Sequence, residues 1–273
     1  MTAFQGLFNL VASTVGQPAA DWVEHRVEVP QGLQDFSWSQ DAIHRVWIAQ
    51  ALNLCLFHKL VEAVPDGLRY VNEQFESGRK VVFDHGAIRT VDWADNGELP
   101  RGRLAFSRLL EPLGFTDVRT YPLTKLNMTG WGYRQMDLPE QIAQFFVSEL
   151  HPGRLSEAFQ QAVGRVVSSS RDPLGSEDLS TLKRLHATRH CSLDEARRLL
   201  PGLYRAFARQ HGVVSEADYR QLLSESAEMA WIATEGNSFN HLTDRVADLE
   251  ATVEEQIRRE RPMKDSIEVS GSG

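Results

Sequence analysis

The stretch "KVVFDHGAIRTVDW", residues 80–93, constrains the fold most, because it is the first clear strand in a chain whose preceding segments have helical spacing. β-Branched and aromatic residues fill it, with Gly78 before it and the turn "ADNGELPRG" after it. Upstream, "FQGLFNLVASTV", "SQDAIHRVWIAQALNLCLFHKLVEAV" and "LRYVNEQFESGR" carry apolar residues at helical intervals. Downstream, "GRLAFSRLLEPLGF" has helical spacing and closes at Gly114, and "TDVRTYPLTKLNMTGWGYRQM" reads as short strands. A strand–helix–strand order results, and the expected class is α+β with the strands in one curved sheet.

The remaining segments divide the chain further. From Pro139 the periodicity predicts a helical block to about residue 230, beginning with "LPEQIAQFFVSEL" and continuing through "SLDEARRLLPGLYRAFARQHG". "TEGNSFNHLTDRVADLEATVEEQIRRER" then reads as a short polar strand or loop leading into an amphipathic helix. It echoes the first strand, since a histidine follows an aromatic residue in both Phe83-Asp84-His85 and Phe239-Asn240-His241. The reading is a single domain: an N-terminal helical region (1–79), a first β unit (80–138), a helical insertion (139–230) and a second β unit (231–273). That second unit stops at "MKDSIEVSGSG", which reads as an unfinished strand.

Composition narrows the function. With 273 residues, 42% hydrophobic and 24% charged, and a net charge of −8, the chain lacks a basic nucleic-acid footprint. No apolar run approaches the roughly 20 residues needed to cross a bilayer. The apolar N-terminal segment has no basic n-region or cleavage site, so a soluble cytoplasmic protein is expected. The two cysteines do not form a CxxC pair: Cys55 sits within a helical pattern, and Cys191 precedes Ser192, an expected N-cap with Glu195 closing a capping box.

Seven of the nine histidines fall on predicted helices or at their ends. His85 and His241 differ, since each lies on or beside a predicted strand. Neutral imidazole is a common ligand of divalent metals, and two imidazoles plus a carboxylate form the facial triad of non-haem Fe(II) enzymes. On a regular strand His85 and Arg89 share a face, about 13 Å apart at 3.3 Å per residue. Asp84 is expected on the opposite face as a supporting hydrogen-bond acceptor, and Gly86 permits a bulge or a close backbone approach. Asn237 and Asn240 beside His241 could orient ligands or form turns; Tyr121, Lys125 and Thr129 could line a pocket or serve as framework.

Three segments, "FDHGAIRTVDW", "YPLTKLNMTGWGY" and "WIATEGNSFNHLTDRVADLE", resemble in order and spacing the 2-oxoadipate dioxygenase/decarboxylase family, a divergent branch of the vicinal oxygen chelate superfamily. The resemblance runs from about residue 40 to the end. It implies a vicinal-oxygen-chelate-like curved sheet and a mononuclear Fe(2+) site held by His85 and His241. It further implies that Arg89 binds a substrate carboxylate, and that a 2-oxo dicarboxylate and O2 react to give 2-hydroxyglutarate. Such proteins draw a third ligand, a glutamate, from a late strand that lies beyond Gly273. Glu235, Glu250, Glu254 and Glu268 do not match it, so the sequence is expected to be a fragment. Two other functions fit the same residues: a glyoxalase-type metal-dependent isomerase or hydrolase, and a metal-free structural fragment of such an enzyme.

Overall fold

A computed structural model describes residues 2–265. In chain order the helices are α1 (Ala3–Val15), α2 (Gln17–Arg26), α3 (Arg45–Ala63), α4 (Pro65–Glu76), α5 (Leu104–Leu110), α6 (Glu157–Val167), α7 (Ser176–Thr188), α8 (Leu193–Ala206), α9 (Glu216–Leu223), α10 (Ala227–Glu235) and α11 (Leu249–Arg258). The strands are β1 (Ile43–His44), β2 (Phe83–Val91), β3 (Phe115–Leu123), β4 (Met128–Gln135), β5 (Gln144–Leu150), β6 (His190–Cys191) and β7 (His241–Asp244). β1 and β6 form a two-residue ladder, and the other five make one sheet in the order β3-β4-β5-β2-β7.

The sheet gathers the strands expected near 80–93, 116–134 and 234–245. It also contains one that the periodicity missed. "LPEQIAQFFVSEL" forms no helix; its Gln144–Leu150 portion is β5, parallel to β2 at the centre of the sheet. The run Phe145-Phe146-Val147 is short, aromatic and β-branched, and a short apolar run fits strand and helix alike until its neighbours decide. Here β2 and β4 supply ladders on both sides. The helical block therefore begins at α6. The expected strand at the C-terminal end falls on residues 266–273, outside the described residues.

One face of the sheet is covered and the other only in part. Ile88, Tyr133, Phe145 and Val147 point to a core shared with α1, α3 and α8. α3 is buried nearly all round, with Trp47, Leu52 and Phe57 fully enclosed, as expected of a helix apolar on every side. On the opposite face only one end is roofed: Val91, Met128 and Leu150 pack under Phe159 and Val163 of α6 and Met229 and Ile232 of α10. The expected caps are present. Ser192 Oγ accepts from the Glu195 N–H, and Glu195 Oε2 accepts from the Ser192 N–H at 2.8 Å, closing the box that opens α8.

β7 reaches β2 from the far side of the helical block. Its antiparallel register pairs His85 with Thr243, Gly86 with Leu242 and Ala87 with His241, with an irregularity between Phe83 and His85. Asp244 anchors the junction: Oδ1 accepts from the Val82 N–H (2.9 Å) and Oδ2 from the Tyr70 hydroxyl of α4 (2.6 Å).

Candidate metal centre

The bulge at Asp84 settles the parity of β2. From His85 onward the pairing with β5 is unbroken, His85 opposite Gln144 and Arg89 opposite Ser148, so His85, Ala87 and Arg89 share one face. The bulge thus sits one residue before His85, and Gly86 provides a close approach. A Cβ at Gly86 would meet the Phe239 ring at 2.5 Å, so the ring covers this backbone only because the side chain is missing.

His241 lies opposite Ala87, diagonal to His85 on the same face. The two imidazoles, 156 residues apart in sequence, stand edge to face with centroids 5.7 Å apart. His85 Nδ1 is within hydrogen-bond distance of Asp84 Oδ2 (2.9 Å) and Thr243 Oγ1 (2.8 Å). An ionised carboxylate only accepts, which puts the proton on Nδ1 and leaves the Nε2 lone pair available. Arg245 Nε donates to the other Asp84 oxygen (2.7 Å). The hydrogen bond from His85, and then Arg245, hold the Asp84 carboxyl below its ordinary pKa against the opposing effect of burial. The ring of His241 makes no hydrogen bond among the described residues. Loss of hydration, and then the nearby His85, Arg89 and Lys264, lower its pKa and favour the neutral, ligating form.

Arg89 stands farther along β2. Its guanidinium is half-buried over the Trp231 ring of α10, 5.4 Å from the centroid. Burial lowers its pKa and Glu228 opposes the shift. It makes no hydrogen bond or ion pair with any described residue, although Asn237 Nδ2 donates to its backbone carbonyl at 2.7 Å.

Other expected participants lie elsewhere. Tyr121 is on the exposed edge strand β3 against Phe146, and Lys125 follows it in an exposed turn. Thr129 Oγ1 bonds His151 Nε2 (2.8 Å). The Asn240 backbone N–H donates to the Ala87 carbonyl at 2.9 Å, a structural bond that fixes β7.

A second group of metal-capable side chains, Asp92, Glu149 and His151, gathers at the opposite ends of β2 and β5. Sequence reading passed over it because His151 lay in a segment read as helix. Each member is already bonded. Asp92 pairs with Arg101 and with His151 Nδ1 (3.0 Å), His151 Nε2 is held by Thr129, and Glu149 accepts from the Arg103 N–H (2.6 Å).

Against known proteins, residues 54–272 match the family described as 2-oxoadipate dioxygenase/decarboxylase. The chain belongs to that family. A glyoxalase-superfamily protein from Ralstonia eutropha JMP134 is 48% identical, with a TM-score of 0.94 over 98% of this chain and 83% of that one. The hydroxyglutarate synthase of Pseudomonas putida, solved in complex with 2-oxoadipate, shares the fold at 16% identity and a TM-score of 0.63, over 81% of this chain and 54% of that one. The corresponding enzyme from Oryza sativa, also with 2-oxoadipate, gives 13% and 0.56, over 86% of this chain and 67% of that one. No curated protein matches.

The donor set of this family member fits two positions of a divalent ion. Two imidazoles share a face, one with its tautomer fixed by a carboxylate and the other with both ring nitrogens free of described partners. Among the described residues no third histidine, cysteine, aspartate or glutamate completes a cluster with them; the one such group is Asp92, Glu149 and His151. Glu235, Glu250 and Glu254 do not join, and Glu268 lies outside the described residues.

Proposed function

We propose that this protein is a non-haem Fe(II) oxygenase that converts a 2-oxo dicarboxylate, 2-oxoadipate by its family, and O2 into 2-hydroxyglutarate and CO2. The observation that carries the reading is Arg89: a half-buried guanidinium without a hydrogen-bonding partner among the described residues, on the same face as His85 and His241. A half-buried guanidinium with spare donors favours an anionic ligand arriving from outside.

His85 and His241 would hold the ion, which when bound supplies oxygen activation and a Lewis-acid site for the 2-oxo acid end. Asp84, itself fixed by Arg245, keeps His85 in the Nδ1–H tautomer. Arg89, about 13 Å along the strand, grips the distal carboxylate and thereby sets which carbon faces the metal end. The chemistry balances without a second reductant: the carboxyl beside the ketone leaves as CO2, and the two atoms of O2 end in the new carboxylate and the new hydroxyl. The test is O2 uptake by the Fe(II)-loaded protein with 2-oxoadipate. Matched loss of O2 and substrate with release of CO2 supports the reading, and metal binding without O2 uptake defeats it.

The 48% identical glyoxalase-superfamily protein gives a second reading some support, that of a metal-dependent isomerase. Such an enzyme would turn over its substrate under strict anaerobiosis.

A further inference from the structure

β2 presents His85 and Arg89, but β5 lies alongside in unbroken parallel register, and its side chains on that face are Gln144, Phe146, Ser148 and Leu150. Adjacent strands are about 4.8 Å apart, so Gln144 is beside His85 and Ser148 beside Arg89. On their face of this central strand they alternate with the apolar Phe146 and Leu150. Ser148 is only 7% exposed and Gln144 is partly exposed, and neither the Ser148 hydroxyl nor the Gln144 amide makes a hydrogen bond to any described residue. Their polar atoms are not sealed from solvent, so they are free to bond a ligand on the face that carries His85 and Arg89. Their neighbours are already engaged: Glu149 accepts from the Arg103 N–H, and Thr129 and His151 bond each other.

The rung between them is shaped differently. Ala87 stands opposite Phe146, whose ring leans the other way, over Gly130 of β4, where a Cβ would come within 2.2 Å of it. The Phe146 ring thus stays off β2, and the middle of the β2–β5 face carries only the methyl of Ala87. Polar, apolar, polar is the order of groups along a dicarboxylate joined by methylenes.

We propose that Gln144 and Ser148 are substrate-binding residues: Gln144 donates to the 2-oxo acid end held near His85 and His241, and Ser148 donates to the distal carboxylate gripped by Arg89. This rests on the oxygenase reading above and deepens it. Discrimination between diacids and monoacids then belongs to the Arg89–Ser148 pair, and Gln144 acts on every 2-oxo acid.

The experiment uses the full chain loaded with Fe(II) and compares Ser148→Ala and Gln144→Met with the parent on 2-oxoadipate and on 2-oxohexanoate, which lacks the distal carboxylate. Losing one hydrogen bond to a charged group costs on the order of tenfold in affinity. Ser148→Ala should raise KM for 2-oxoadipate about tenfold and leave that for 2-oxohexanoate unchanged; Gln144→Met should raise both. Fe(II) affinity and thermal midpoint should stay at the parent value, and Ser148→Cys and Gln144→Leu repeat the measurement should either first variant fail to fold. KM values within about twofold of the parent on both substrates would overturn the assignment while the parent's Arg89-dependent turnover still stood. A parent that neither binds nor consumes 2-oxoadipate would remove the oxygenase reading and this inference with it.

Discussion

The two ends of the β2–β5 ladder carry similar side chains in opposite states. Near Asp92, a carboxylate pair and a histidine come close enough to hold a metal, but Arg101, the Arg103 backbone and Thr129 already occupy their polar atoms. Near His85, two imidazoles and a guanidinium lie on a less crowded face, and the atoms that matter have no partner among the described residues. Proximity of ligand-type residues marks both places. What separates them is spare bonding capacity, because a ligand must displace every internal bond its site has already made. The Asp92 cluster reads as a structural clasp joining the ends of β2 and β5 to the 101–103 turn.

The contrast would break first at the metal. His85→Ala and His241→Ala should each weaken Fe(II) binding by well over about a hundredfold, beyond the loss usual for a supporting residue, and Asp84→Asn by about ten- to a hundredfold. Titration with ferrous ion under anaerobic conditions reads this directly, and unchanged affinity in both histidine variants would move the metal elsewhere. Next comes Arg89→Ala, which should keep the metal yet lose roughly 30-fold in kcat/KM on 2-oxoadipate, about 2 kcal/mol. Arg89→Lys should restore part of it. An equal loss on 2-oxohexanoate would show Arg89 acting on the fold instead.

Glu149→Gln tests the clasp. It should leave Fe(II) stoichiometry and KM at parent values while lowering stability by about 1–2 kcal/mol, since the Arg103 N–H loses a charged acceptor. Loss of metal in this variant would reverse the assignment of the two ends. The smallest effect is on acid stability. Hydrogen bonds from Arg101 and then His151 hold the Asp92 pKa below its ordinary value. Its contribution is therefore complete above the unfolded carboxylate range near pH 4 and fades as the pH falls through the lowered folded value. Asp92→Asn should flatten the fall of the thermal midpoint below about pH 4 without changing O2 uptake at neutral pH.

Much of this was legible in sequence, for identifiable reasons. β2 announced itself through β-branched density and bounding turns, α8 through Ser192 and Glu195, and the shared face of His85 and Arg89 through strand parity. β5 escaped because "QFFVSEL" contains an apolar run short enough for either period, and only β2 and β4 decide it. Gln144, Ser148 and the clasp were hidden by that same error. The support from Arg245 to Asp84 spans 161 residues, a contact no local pattern encodes. Gly86 was expected to be special, but the bulge sits at Asp84, and the glycine serves the Phe239 ring.

The pairing of β2 with β7 also sets an order of assembly. β2, β3, β4 and β5 all lie within residues 83–150 and can zip together soon after synthesis, whereas β7 begins only at residue 241. Closing so long a loop is entropically late, and pairing across it slows folding. Until β7 docks, His85 stands without His241. If the proposed two-histidine site holds the ion, a nascent chain cannot bind it tightly while its helical block is still forming, and retention of ferrous ion would mark a finished sheet. In refolding experiments, metal uptake should lag behind the recovery of sheet signal.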